Sequence, residues 1–176
     1  MRKRHALNTV VVSAWLWFVA LPALAGDPLP KGLLALDGRE APPLVLNDLD
    51  GERWDIRAAR GRWLFVHFWA TWCGPCRKEM PTIQAIFPKF DVSQLEIVLI
   101  NTAETEDTVF AFLAEVAPDI TPLMDSDGLV TEQWQPRGLP ATFFVDPDGR
   151  LQYLALGGRP WDSPEYLEFV QRLVRQ

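Results

Sequence analysis

Cysteine is scarce in this chain: 176 residues contain only Cys73 and Cys76. That excludes a fold stapled by a disulfide framework. The two lie in one motif, Trp72-Cys73-Gly74-Pro75-Cys76, so a bond between them closes a very short loop and constrains little of the unfolded chain. The pair is placed to react, not to staple. Positive charge is also short, with 17 Lys and Arg against 23 Asp and Glu and a net charge of −6, which argues against a nucleic-acid partner. Repeats and low-complexity tracts are absent.

The first 25 residues read separately from the rest. Arg2-Lys3-Arg4 precedes an apolar stretch from Ala6 to Leu21, and small residues follow at Ala23 and Ala25, the three regions of a secretory signal. The expected division is a signal peptide over residues 1–25 and one domain over residues 26–176. An uncleaved anchor is the alternative, because the apolar stretch approaches the roughly 20 residues that span a bilayer. Only in that case is the chain expected to touch a membrane. Either way the remainder is expected outside the cytoplasm, in a periplasm or its equivalent. Cleavage leaves 14 basic residues against 23 acidic ones. About 150 residues suffice for one domain whose core does not depend on the cysteine pair.

Pro28, Pro30, Pro42 and Pro43 punctuate an extended lead-in. Leu44-Val45-Leu46, the turn Asp48-Leu49-Asp50-Gly51 and Arg53-Trp54-Asp55-Ile56 then predict a two-stranded ribbon. Trp63 to Trp69 is almost continuously apolar, as a strand buried on both faces must be. A helix is predicted from Arg77 to about Phe90, interrupted at Pro81. A second buried strand follows at Leu95 to Ile100, and an amphipathic helix at Thr105 to Val116. Pro122-Leu123-Met124 and Gly128 to Trp134 read as a short strand, a turn and a short helix. Ala141 to Val145 and Leu151 to Ala155 pair as a hairpin about Asp146-Pro147-Asp148-Gly149, and Glu165 to Val174 is the last helix. Alternation of strand and helix implies parallel crossovers, and the hairpin adds antiparallel strands. The expected class is α/β, a central mixed sheet flanked by helices with an N-terminal ribbon.

A Cys-x-x-Cys between a buried strand and a helix puts the first sulfur at the helix N-terminus, where free amide donors and the positive dipole end stabilise a thiolate. Cys73 is therefore the expected nucleophile. Cys76, one turn inward, is shielded and suits a resolving thiol that attacks the mixed disulfide.

The segment from Phe68 through Trp72-Cys73-Gly74-Pro75-Cys76 to Arg77-Lys78-Glu79-Met80-Pro81 resembles the active-site segment of the thioredoxin superfamily, nearest its extracytoplasmic branch of TlpA, ResA and CcmG proteins. The resemblance runs from the ribbon to the last helix. It implies a thioredoxin-like fold and a thiol-disulfide oxidoreductase with no cofactor beyond the redox-active Cys73–Cys76 disulfide. It implies further that Pro140 is the family's cis-proline, which only an X-Pro bond adopts cheaply. Leu139 would then hold a substrate strand, with Trp72 at the groove rim and Gly74 and Pro75 between the cysteines. An ordinary trans proline at a strand start is the plainer reading of Pro140.

Glu79, three residues after Cys76, is expected about one turn away on the same helical face. The resemblance makes it an acid near the buried thiol, and the plainer reading makes it a solvent-facing carboxylate. His67 departs from cytoplasmic thioredoxins, which carry a buried aspartate at that position. It is either a core side chain or a candidate for proton transfer beside Cys76. Arg77 and Lys78 either favour a thiolate or are simply solvated.

Gly-Pro between the cysteines resembles reducing thioredoxin, so reduction of protein disulfides is the expected direction, with a disulfide-forming oxidant as the alternative. A membrane thiol transporter would supply the electrons, and clients in cytochrome c or copper-oxidase assembly would receive them. Ala141, where the CcmG branch has an acidic residue, argues against that branch. A copper or zinc carrier is a further alternative, but only His67 and Met80 lie near as extra ligands and a closed zinc site needs four, so no metal site is expected.

Overall fold

In the computed structural model, which describes residues 28–175, every residue of the strand Trp63–Trp69 is buried, and the other elements are arranged around it. In chain order the elements are β1 Leu33–Ala35, β2 Val45–Asn47, β3 Arg53–Asp55, β4 Trp63–Trp69, α1 Gly74–Ile86, β5 Leu95–Thr102, α2 Glu106–Val116, β6 Leu123–Asp125, α3 Leu129–Trp134, β7 Ala141–Val145, β8 Leu151–Leu156 and α4 Pro164–Leu173. The main sheet runs β1-β8-β7-β4-β5-β6, and β2-β3 form the separate ribbon. β4, β5 and β6 are parallel, as crossovers through α1 and α2 require. β7 and β8 pair antiparallel as a hairpin, and β7 runs antiparallel to β4. The expected mixed sheet is thus observed. The expected signal segment lies outside the described residues.

Side chains alternate across β4 and divide the core in two. Trp63, Phe65 and Trp69 face the layer that contains α1, α2 and α4, with Met80, Ile83, Phe112 and Phe169. Leu64, Val66 and Phe68 face the other layer, with Leu44, Trp134 and Phe143. His67 has the parity of Phe65 and Trp69, so it is directed into the α1 side. In the β4–β7 register its partner is Thr142. This is how an otherwise apolar strand delivers one imidazole beneath the cysteine-bearing helix.

Three details differ from the sequence-based expectation. The lead-in contains a strand, β1, hydrogen-bonded to β8 through Leu33 opposite Ala155; three residues are too few for a periodic signal. α1 begins at Gly74 instead of Arg77, because Pro75 suits a first-turn position and Cys73 serves as the N-cap. The helix also continues through Pro81 to Ile86, after which Phe87–Lys89 form a 3-10 turn containing Pro88. Packing of Met80, Ile83 and Ile86 outweighs the hydrogen bond that Pro81 cannot donate to the carbonyl four residues back.

Phe65 joins the sheet to the chain between β8 and α4, with ring centroids 5.4 Å from Phe144 and 4.7 Å from Trp161, both near edge-to-face. Phe65→Ala should cost about 3–5 kcal/mol of unfolding free energy, read as a lower urea midpoint at unchanged slope. A loss under about 1 kcal/mol would show that this cluster does not carry the core.

Candidate active site

The site starts where β4 ends. Cys73 adopts an extended conformation as N-cap of α1, and its sulfur accepts a hydrogen bond from the Cys76 amide at 3.3 Å. The two cysteines form a disulfide across Cα atoms 5.2 Å apart. Cys73 retains 5% exposure and Cys76 none, so an incoming partner meets the first sulfur and not the second. The Cys73 amide is held by the Ala70 carbonyl and its carbonyl by the Arg77 amide, which fixes the sulfur at the positive end of the helix.

The turn before Cys73 is clamped by Glu104 and Asn101, which sequence reasoning missed, and by Arg77. Glu104 accepts hydrogen bonds from both the amide and the hydroxyl of Thr71 and, at 2.8 Å, from Asn101. Arg77 donates to the Thr71 carbonyl at 3.3 Å and lies over the Phe112 ring at 4.7 Å. Its guanidinium is thus committed to the turn. Trp72, the next residue, is 70% exposed. A carboxylate 33 positions away leaves no local signal for this clamp.

Glu79 is buried, which excludes the solvent-facing reading. Its place follows from α1's own spacing: Cys76, Glu79, Met80, Ile83 and Ile86 make the inward stripe. Oε2 accepts from the Arg159 amide at 2.9 Å and from Trp161 Nε1 at 3.2 Å. Oε1 faces His67 Nε2 at 3.3 Å. That contact is close enough for an ion pair but is not aligned as a hydrogen bond, and neither atom has another partner. His67 is fully buried, and its Nδ1 lies 2.8 Å from the Thr142 hydroxyl. The two nitrogens of His67 are thus directed at Thr142 and Glu79. Among the described residues there is no group of three or more His, Cys, Asp or Glu side chains that could hold a metal ion.

The segment after β8 forms the far wall. Gly158 comes so close to Pro75 that an added Cβ would lie 3.2 Å from the Pro75 carbonyl oxygen. Arg159 donates to the carbonyls of Leu156 and Gly158, and Trp161 packs on Phe65. Between this wall and α1 is a cleft of about 470 Å³ whose lining includes Gly74, Pro75, Lys78, Glu79, Arg159 and Pro160. Burial pushes the nearby Tyr166 phenol above its ordinary value, while Arg159 pulls it down. The Leu139–Pro140 bond is cis, the isomer the resemblance implied. Leu139 packs against the buried cluster that contains both cysteines.

The fold and the paired cysteines define a thioredoxin-like thiol-disulfide oxidoreductase. The chain belongs to the AhpC/TSA family, whose pattern matches residues 38–154. It is 32% identical to the thiol-disulfide oxidoreductase ResA of Bacillus cereus (strain ZK / E33L) over 97% of this chain and 99% of that one. With ResA of Bacillus subtilis (strain 168) the identity is 31%, over 69% and 68%. Among solved structures, a thiol:disulfide interchange protein DsbE from Chlorobium tepidum superposes with a TM-score of 0.71 at 27% identity, covering 80% of this chain and 99% of that one. A secreted thiol-disulfide isomerase from Corynebacterium glutamicum shares the fold with a TM-score of 0.70 at 19% identity, covering 86% and 96%.

Trp161→Phe keeps a six-membered aromatic ring but removes the pyrrole part of the indole and with it one donor to Glu79. It should lower stability by about 1–3 kcal/mol in urea unfolding. Trp134→Phe, whose Nε1 reaches the Pro43 carbonyl at 3.4 Å, should cost less. Equal losses would mean that the bond to Glu79 has no special weight.

Proposed function

We propose that this chain reduces disulfides in client proteins outside the cytoplasm. In the dithiol form the Cys73 thiolate attacks a client disulfide; the Cys73–client bond forms, and the first client sulfur leaves as thiolate. Cys76 then loses its proton to Glu79 and attacks the Cys73 sulfur. The mixed disulfide breaks, the second client sulfur leaves with the electron pair, and the Cys73–Cys76 disulfide remains. Two electrons have passed to the client. The observation that carries this reading is the asymmetry of the pair: one sulfur at the surface end of α1, the other sealed in the core one turn from a buried carboxylate.

Client docking is assigned to Trp72, Leu139 and Pro140, with Gly74 and Pro75 forming the floor beside the nucleophile. Exposure of the Trp72 indole supports this assignment. No cofactor beyond the cysteine pair is needed. The basic and apolar opening of residues 1–25 supports export, and a membrane thiol transporter is the proposed electron donor. The resemblance of the active-site segment implies clients in cytochrome c or copper-oxidase assembly. The same steps in reverse would form disulfides; Gly74 and Pro75 favour reduction.

Cys73→Ser should abolish reduction of insulin disulfides, and Cys76→Ser should accumulate a covalent adduct with insulin, visible on a non-reducing gel. Full activity in both variants would contradict exchange through this pair.

A further inference from the structure

We infer that His67 and Glu79 together form a site for a single proton, and that this shared site, not Glu79 alone, is empty when Cys76 resolves and takes up the proton that Cys76 gives up. The inference rests on the role proposed above for Glu79. It follows from which atoms are occupied. Both donors that reach the carboxylate, the Arg159 amide and Trp161 Nε1, converge on Oε2. Oε1 is left with one neighbour, His67 Nε2 at 3.3 Å, and both groups are almost completely buried. A lone buried carboxylate and a lone buried imidazolium are each costly in a low-dielectric interior. A pair holding one proton is neutral overall whether the proton sits on Oε1 or Nε2.

The lack of hydrogen-bond alignment between these atoms decides what His67 contributes. A neutral imidazole in this position gives an ionised Glu79 little direct stabilisation. It does supply a second basic atom for the same proton, and two places for one proton hold it more tightly than one. Thr142 completes the unit. Its hydroxyl lies 2.8 Å from Nδ1 and can donate or accept, so it follows the imidazole between its neutral and charged forms.

The other polar groups around the pair have separate partners. Arg159 is bound to the Leu156 and Gly158 carbonyls, the Tyr166 phenol donates to the Lys31 carbonyl at 2.9 Å, and Lys78 lies at the cleft. Cys73 and Cys76 are the reacting groups. His67 is bonded to Thr142 and faces Glu79, and none of these three side chains is a partner of it, so its effect is readable against their separate contacts. In the resolving step the Cys76 S–H bond breaks and its proton passes to the pair. The Cys76 sulfur bonds to Cys73, and the client sulfur leaves with the electrons.

Ellman's reagent mixed with the full-length reduced protein separates the two steps, because one aromatic thiolate is released when Cys73 attacks and a second when Cys76 resolves. The second release should rise with pH as the pair empties. In His67→Asn that rise should move to lower pH, by about 0.3 unit for equal sharing and by more where Nε2 is the better seat, since the alternative seat for the proton is gone. A rise at the wild-type position would overturn the shared site. Nitrogen-15 spectra of His67 provide a test that does not need the histidine variant to fold. Its ring signals should differ between wild type and Glu79→Gln, and identical ring titrations would overturn the inference. Failure of the Glu79 reading itself looks different: Glu79→Gln would leave the second release unchanged in rate and pH dependence.

Discussion

The arrangement depends on where the first turn of α1 is set down. β4 ends at Trp69, the Thr71 turn is clamped by Glu104 and Arg77, and Cys73 becomes the residue whose sulfur caps the helix. If the helix started one residue later, Cys73 would leave the cap and Cys76 would rotate by about 100° out of the inward stripe. The same registration brings Glu79 over His67. One helix start therefore fixes the sulfur at the helix cap, the fully buried sulfur and the carboxylate together.

Burial of a histidine and a glutamate against Phe65 and Trp161 is not a means to stability. Pairs of this kind commonly do no better than apolar residues of similar volume, because desolvation offsets their attraction. The fold instead surrounds them with directed partners: an amide, an indole N–H and a threonine hydroxyl. The segment from Leu156 to Trp161 supplies two of these and also presses Gly158 against Pro75. A side chain there would bring its Cβ to 3.2 Å from the Pro75 carbonyl oxygen, tight enough to press on the residues between the cysteines.

Much of this was legible in the sequence where the signal is local. The apolar run of β4, the ribbon turn at Asp48–Gly51 and the hairpin about Asp146–Gly149 appear where their patterns place them. The cysteine pair and the isomer at Pro140 could be read from the motif and its resemblance. Glu79 was readable in part, because the 76-79-80-83-86 spacing already puts it on the apolar face of α1. What was not legible is tertiary. β1 exists because β8 offers an edge to it. Glu104 reaches Thr71 across 33 positions, and Trp161 reaches Glu79 across 82. For His67, strand parity indicates a face, but only the packing of α1 says which side chain waits there.

The direction of electron flow is the central claim, and the reduction potential of the Cys73–Cys76 pair tests it most directly. Equilibration of the protein in glutathione buffers of graded ratio, followed by quantification of the dithiol and disulfide forms, gives that value. A reductant should fall nearer the thioredoxin value of about −270 mV than the strong-oxidant value of about −120 mV. A potential above about −180 mV would make this chain a donor of disulfides and would contradict the account.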